Sequence, residues 1–119
     1  MVGLAISGIT SPSGTTVGWF TPSNAYVDPL TGFGGWQMVG YVSEAAFTAG
    51  DAPVPSMTRF YDTGGQYNNV TSAVFAANFG SSLTLGELAT ACCNAAIQTL
   101  DVDTSGTPVS FFASATLTS

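Results

Sequence analysis

The fold class is decided by residues 36–43, which read WQMVGYVS. Aromatic and β-branched residues are frequent in this stretch, and they favour a strand. We interpret it as the central strand of a sheet. Near the start of the chain, Val2, Leu4 and Ile6 alternate with small residues, which is the period-two pattern of a strand with one buried face.

Turn-forming residues divide the rest of the chain into further short segments. The predicted strands, besides the central one, cover residues 2–6, 15–20, 57–61 and 109–118. The strand at 15–20 is expected to close at Thr21-Pro22-Ser23-Asn24, and residues 24–35 are expected to be mainly loop. Two segments stay open. Residues 45–47 fit a continued strand or a short turn of helix, and the region of residues 70–79 fits a strand or a helix.

One helix is predicted with clear boundaries, over about residues 84–100. Thr84 and Glu87 fit a capping box, in which hydroxyl and carboxylate each accept a hydrogen bond from a backbone N–H of the first turn. One face of the helix is broad and made of small residues, so it should lie close against a sheet. Cys92 and Cys93 are expected to be small buried thiols on this helix, because a disulfide between adjacent residues requires strained geometry.

These elements predict one mainly β domain over residues 1–119, a small β-sandwich or barrel with one flanking α-helix. The length of 119 residues fits a single domain, and 45% hydrophobic residues suffice for a core. Residues 1–9 lack the basic region of a signal peptide, and no apolar run approaches the ~18 residues of a membrane span. We therefore expect synthesis in a cytoplasm without a signal peptide, and no membrane partner.

The charge composition limits the partners of the chain. Arg59 is the only cationic side chain against seven carboxylates, His is absent, and the net charge is −6. Affinity for nucleic acid depends mainly on Lys and Arg, so we expect no nucleic-acid partner. Charged residues are only 7% of the chain, and Gly, Ser, Thr and Asn replace them. Such residues are cheaper to desolvate than ions, so this surface suits burial against other proteins.

We expect no enzymatic activity and no cofactor. General acid–base catalysis near neutral pH most often uses His, and the carboxylates of this chain are scattered through turns. Asp101 and Asp103 resemble the first ligands of an EF-hand calcium loop, but Phe112 stands where the loop needs a bidentate Glu. The full motif therefore fails, and this segment is interpreted as a turn rather than a metal site.

Two stretches show the polar, small-residue style of the chain: residues 10–16, TSPSGTT, and residues 111–116, FFASAT. In this style the chain resembles the minor structural proteins of tailed-bacteriophage virions, especially capsid cement or decoration proteins. The resemblance implies a homo-oligomer, expected to be a homotrimer, on the outside of the virion. There it would bind the major capsid protein or other virion subunits and stabilise the assembled head.

Two other classes of function remain open. A tail-tube, neck or fibre subunit would also combine a β-barrel with a flanking helix, and a carbohydrate-binding or adhesive module would use exposed aromatic rings. Aromatic residues also form the core of small β domains. The candidate interface residues are Trp19, Phe20, Tyr26, Phe33 and Trp36.

Overall fold

The computed structural model describes residues 1–28, 30, 32–65, 67–80, 83–100 and 109–119. The strands are β1 Gly3–Thr10, β2 Thr16–Val27, β3 Gly34–Tyr41, β4 Thr58–Asp62, β5 Asn68–Asn69 and β6 Thr116–Thr118. The helices are α1 Glu44–Thr48, α2 Ser72–Asn78 and α3 Leu85–Gln98.

Within the described residues, the six strands form one sheet in the order β5-β4-β3-β2-β1-β6. The pairs are antiparallel except β4 with β5, which is parallel. The prediction of a small, mainly β domain with a flanking helix is confirmed. In the described part of the chain the strands make a single sheet with two edges, rather than two facing sheets or a closed barrel. Helices take the place of a second sheet in covering its faces.

The core lies on one face of this sheet, under α2 and α3. Leu4, Phe20, Met38 and Tyr61 share that face by register and are fully or almost fully buried. Cys92 lies among the helix residues of the same cluster. Small side chains on α3 allow this close approach, as the sequence predicts.

In the part of the chain that the structure describes, the opposite face is covered at one end by α1. Trp19 and Tyr41 are paired across β2 and β3, and Phe47 of α1 packs on both rings at 5.2 and 5.0 Å between centroids. The interpretation of residues 45–47 as a turn of helix is therefore confirmed. The other end of this face, around Gln37 and Phe60, remains accessible.

Helix α3 agrees closely with its prediction. It runs from Leu85 to Gln98, within the predicted range, and Thr84 caps it. The Glu87 N–H donates to Thr84 Oγ1 at 3.2 Å, and the Thr84 N–H donates to Glu87 Oε1 at 3.1 Å, which completes the capping box.

Two strand predictions are wrong in extent. Strand β2 does not close at residues 21–24 but continues to Val27, pairing Pro22 with Met38. Pro22 lies past Phe20, the last β2 residue that pairs with β1, so only β3 flanks it there, and proline is tolerated at such edges. Of the predicted last strand, only Thr116–Thr118 is formed.

The chain from 110 to 115 turns instead of extending. The Ala113 N–H donates to the Ser110 carbonyl, and the Ala115 N–H donates to the Phe112 carbonyl. This places both Phe111 and Phe112 against Phe20, at 5.8 and 5.0 Å between ring centroids. Adjacent residues of a strand face opposite ways, so only a turn allows both rings to reach the core.

In the region of residues 70–79 the helix is formed. Thr71 caps α2, since its hydroxyl accepts a hydrogen bond from the Val74 N–H at 3.3 Å. Phe75 and Phe79 stack at 4.7 Å, and Phe79 lies 5.5 Å from Trp36. This helix thus covers the Trp36 end of the core.

Candidate functional site

The β2–β3 hairpin ends in a turn organised by Asp28. Its N–H donates to the Phe33 carbonyl at 2.7 Å, and its carbonyl accepts from the Gly32 N–H at 2.8 Å. Its carboxylate oxygen Oδ1 accepts from the Leu30 N–H at 2.9 Å. Gly32 has a φ of +74°, a left-handed conformation that favours glycine. Backbone hydrogen bonds therefore hold the turn without help from apolar packing of Leu30.

Apolar side chains at this end of the hairpin face solvent. Leu30 is 91% exposed, Tyr26 55% and Phe33 54%, and Val27 is also exposed. We call Tyr26, Val27, Leu30 and Phe33 the hairpin surface. Single exposed apolar residues are ordinary, but four within eight residues of one hairpin are unusual, even though Tyr26 and Val27, adjacent in β2, face opposite sides of the sheet. Such a concentration of exposed apolar side chains is typical of a contact site.

The five predicted interface residues divide between core and surface. Trp19, Phe20 and Trp36 are buried, at 3% exposure or less, so they stabilise the fold and offer no area to a partner of the folded chain. Tyr26 and Phe33 lie on the hairpin surface. For these two, a role in an interface stays a prediction.

Sequence reasoning missed Leu30 and Val27 as surface residues. Residues 24–35 are predicted to be mainly loop, and of their apolar residues only Tyr26 and Phe33 are among the candidate interface residues. The available signal was a Leu placed between turn formers, in the sequence DPLTGFGG of residues 28–35. An apolar residue that turn chemistry does not need is a candidate for a contact.

A β-bulge gives Tyr26 its position. Ser23 pairs with Gln37 and Tyr26 pairs with Gly35, so two residues of β2 oppose one residue of β3. Asn24, in the bulge, has a φ of +51°. The extra residue reverses the alternation of side chains, and Tyr26 emerges on the same face as Gln37. A Cβ at Gly35 would lie 2.9 Å from Tyr26 Cε1, so the Tyr26 ring rests on a site that only glycine leaves open.

The sheet also has an open stretch of edge. Strand β6 pairs with β1 only from Gly3 to Ala5. Among the described residues, no strand pairs with the outer side of β1 from Ile6 to Thr10. Unpaired edges are templates for strands of other chains, and natural proteins often guard them with Lys. This chain has no lysine, but the register of β1 on β2 shifts between Ala5 and Ile9, where Gly8 has a φ of +81°, and such a bulge also blunts an edge.

The described residues assemble no cluster of metal-ligating side chains: no three of their Cys, Asp and Glu residues lie together. Asp101 and Asp103 lie outside the described residues, so the expectation that they bind no calcium stays a prediction. In the described chain no helix is long and apolar enough to cross a membrane.

The two cysteines are buried and unbridged on α3. Burial raises the pKa of both thiols to about 12, and for Cys92 the neighbouring Cys93 adds to the effect. Both are therefore neutral thiols near pH 7, which is the opposite of what a nucleophile or a metal ligand requires.

Comparisons with protein-family models, with curated proteins and with solved structures give no match. What the chain does must therefore be inferred from its own residues and surfaces.

Proposed function

We propose that this chain is a non-catalytic structural protein that assembles with itself and with other protein subunits through the hairpin surface. In its most specific form, the proposal is a virion protein of the capsid cement or decoration class. It would bind the major capsid protein of a phage head as a homo-oligomer, with a trimer as the expected state. A tail-tube, neck or fibre subunit is the alternative position in a particle.

The observation that carries this proposal is the hairpin surface. Leu30 is 91% exposed, and fully burying a Leu side chain is worth about 1.5–3 kcal/mol. Tyr26 and Phe33 are each about half exposed and would add aromatic contact area, which is enriched at the centres of protein interfaces. These three side chains are held outside the core, so a partner can contact them without refolding of the chain.

The scarcity of charge supports the same proposal. Hydroxyls and backbone groups exchange water for interface hydrogen bonds at small net cost, whereas an unpaired ion does not. Within the hairpin, Asp28 uses its carboxylate and backbone to hold the turn. The association is therefore expected to be apolar and hydrogen-bonded, and to resist salt.

The open edge of β1 supports assembly into a homo-oligomer. A second copy could pair with the outer side of β1 past its bulge, at Ile9 and Thr10, and this short stretch would add to the contact made by the hairpin surface. Such pairing needs no side-chain charge, in agreement with the composition.

The experiment is addition of purified protein to phage shells that lack it, at low and at high ionic strength. We expect saturable binding at both, and binding is expected to fall sharply for Leu30→Ser combined with Phe33→Ser. Leu100→Ser is the matched control, because Leu100 is 54% exposed, as Phe33 is, but follows the C-terminal end of α3, whereas the start of that helix shares a pocket with residues 22–25 of β2. Failure of the wild-type protein to join any shell would contradict the virion proposal.

A further inference from the structure

We propose that a groove on the accessible face of the sheet binds a neutral carbohydrate. The groove has a volume of about 230 Å³ and is lined by Asn24, Tyr26, Gln37, Phe60 and Tyr67, together with the buried residues Trp36, Tyr61 and Asp62. It lies on the sheet face opposite α3, at the end that α1 leaves uncovered. The inference does not rest on the proposed assembly.

Aromatic rings flank the groove on two strands. Phe60 and Tyr67 lie 5.1 Å apart between centroids, and both are partly exposed, at 39% and 46%. Tyr26 stands across β3 from them, held over Gly35 by the β-bulge. A sugar ring has an apolar face of C–H groups, which matches the negatively polarised face of an aromatic ring.

The polar groups of the groove match hydroxyls. Asn24 Nδ2 donates to Gln37 Oε1 at 3.2 Å, which uses one group of each amide. Among the described residues, neither side chain makes another hydrogen bond. Asn24 Oδ1 therefore remains as an acceptor and Gln37 Nε2 as a donor, and sugar hydroxyls can donate to the first and accept from the second.

The position of Tyr67 is fixed by its own turn. Its backbone N–H donates to Asp62 Oδ1 at 3.2 Å, and Asp62 is nearly buried. This fixes the chain where the ring of Tyr67 meets Phe60. Pre-organised aromatic groups lose little entropy when a ligand binds, so they favour affinity.

The charge of the protein favours a neutral ligand over an anionic one. The only cationic side chain of the protein, Arg59, alternates to the core face, where its guanidinium carbon lies 4.0 Å from the centre of the Phe111 ring. It therefore cannot pair with an acid in this groove. Sulfated or acidic sugars would meet a net charge of −6 without compensation.

The size of the groove limits the ligand. Its volume of about 230 Å³ lies below the roughly 300–1,000 Å³ of sites for drug-sized molecules. We infer contact with one or two sugar units of a longer glycan, with the remaining units in solvent.

The test is an array of neutral oligosaccharides of hexoses and N-acetylhexosamines, with sulfated glycans and choline as further arms. The best monovalent neutral glycan is then titrated calorimetrically. Tyr67→Ala should weaken its affinity by about tenfold or more, whereas Tyr67→Phe, which keeps the ring, should stay within about threefold of wild type.

Gln37→Leu gives a second readout, because it removes an amide from the exposed face without changing the aromatic rings. It should weaken binding by about tenfold while thermal unfolding stays near that of wild type. Tyr26 belongs both to this groove and to the hairpin surface, whereas Leu30 belongs only to the latter, so Leu30→Ser should leave monovalent affinity unchanged. Absence of neutral-glycan binding, binding of choline in its place, or wild-type affinity in Tyr67→Ala and Gln37→Leu would each overturn the inference.

Discussion

Gly3→Ala tests how tightly β1 packs against the Trp19 ring, at the β1–β6 side of the sheet. A Cβ at Gly3 would lie 2.4 Å from Cε2 and Cζ2 of Trp19 and 2.6 Å from the Phe20 carbonyl oxygen. Trp19 is 1% exposed, and its indole N–H donates to Thr118 Oγ1 at 3.0 Å. The ring also packs against Phe47, so its surroundings restrict its movement away from a new methyl group.

The magnitude follows from this overlap. The new methyl would approach the ring about 1 Å closer than ordinary van der Waals contact allows, and part of the clash is with backbone. Overpacking of this kind costs about 1–3 kcal/mol, and the rigid surroundings favour the upper end. For a chain of 119 residues, this corresponds to a fall in Tm of about 10 °C.

The assay is denaturant and thermal unfolding of Gly3→Ala beside Gly86→Ala. Gly86 is in α3, and a Cβ there would meet nothing within 4 Å. Alanine is the better helix former, so this control should be stabilised by about 0.5–1 kcal/mol. If Gly3→Ala is as stable as wild type, the tight contact between β1 and the Trp19 ring is refuted.

Two further predictions concern α3. Thr84→Ala should lower the free energy of unfolding by about 1 kcal/mol, because it removes the acceptor for the Glu87 N–H. Hydrogen bonds with the Thr84 side chain and backbone lower the pKa of Glu87, so the stabilisation that comes from its ionised carboxylate is present at neutral pH and is lost as pH falls through that lowered pKa. An NMR titration of the Glu87 carboxyl should show its pKa rising in Thr84→Ala, and an unchanged pKa would count against the capping box. For Cys92 and Cys93, burial raises the pKa from 9.0 to about 12, so Ellman's reagent should react only after unfolding. Above about pH 9 the unfolded thiols ionise while the buried ones stay neutral, so the free energy of unfolding should fall as the pH rises from about 9 toward about 12. Cys93→Ala should roughly halve this slope, and rapid labelling of the native protein at pH 8 would contradict the burial.

The elements that the sequence predicts well are those with a repeated local signal. The central strand around Trp36 to Tyr41 has strand-favouring residues throughout, and it is formed as Gly34–Tyr41. For α3, Thr84 and Glu87 define the start through a hydrogen-bond pattern that depends on no distant contact. Both are confirmed because local chemistry and tertiary packing agree there.

The elements that were missed depend on distant neighbours. The sequence predicts that β2 ends around Pro22. In the structure, β1 stops pairing with β2 at Phe20, so beyond that point β2 has a neighbour on one side only, and proline is tolerated there. The alternation of residues predicts a strand through Phe111 and Phe112. Both rings instead pack on Phe20, and that contact requires a turn. No local pattern contains that information.

The exposed candidate residues are predicted only in part, for a related reason. The sequence identifies aromatic residues but not which of them face outward, so the candidates included the buried Trp19, Phe20 and Trp36. The exposure of Tyr26 is set by a β-bulge in the middle of a strand, and the accessibility of Phe60 and Tyr67 by where α1 ends. These features appear only when the sheet is assembled.

The most direct test of the proposed assembly is sedimentation velocity of the isolated protein in low salt and in 1 M NaCl. It compares wild type with Leu30→Ser/Phe33→Ser and with Leu100→Ser. We predict a discrete oligomer for wild type and for Leu100→Ser at both salt concentrations, and a folded monomer for the hairpin variant. A wild-type monomer, or a hairpin variant that sediments as the same oligomer as wild type, would contradict assembly through the hairpin surface.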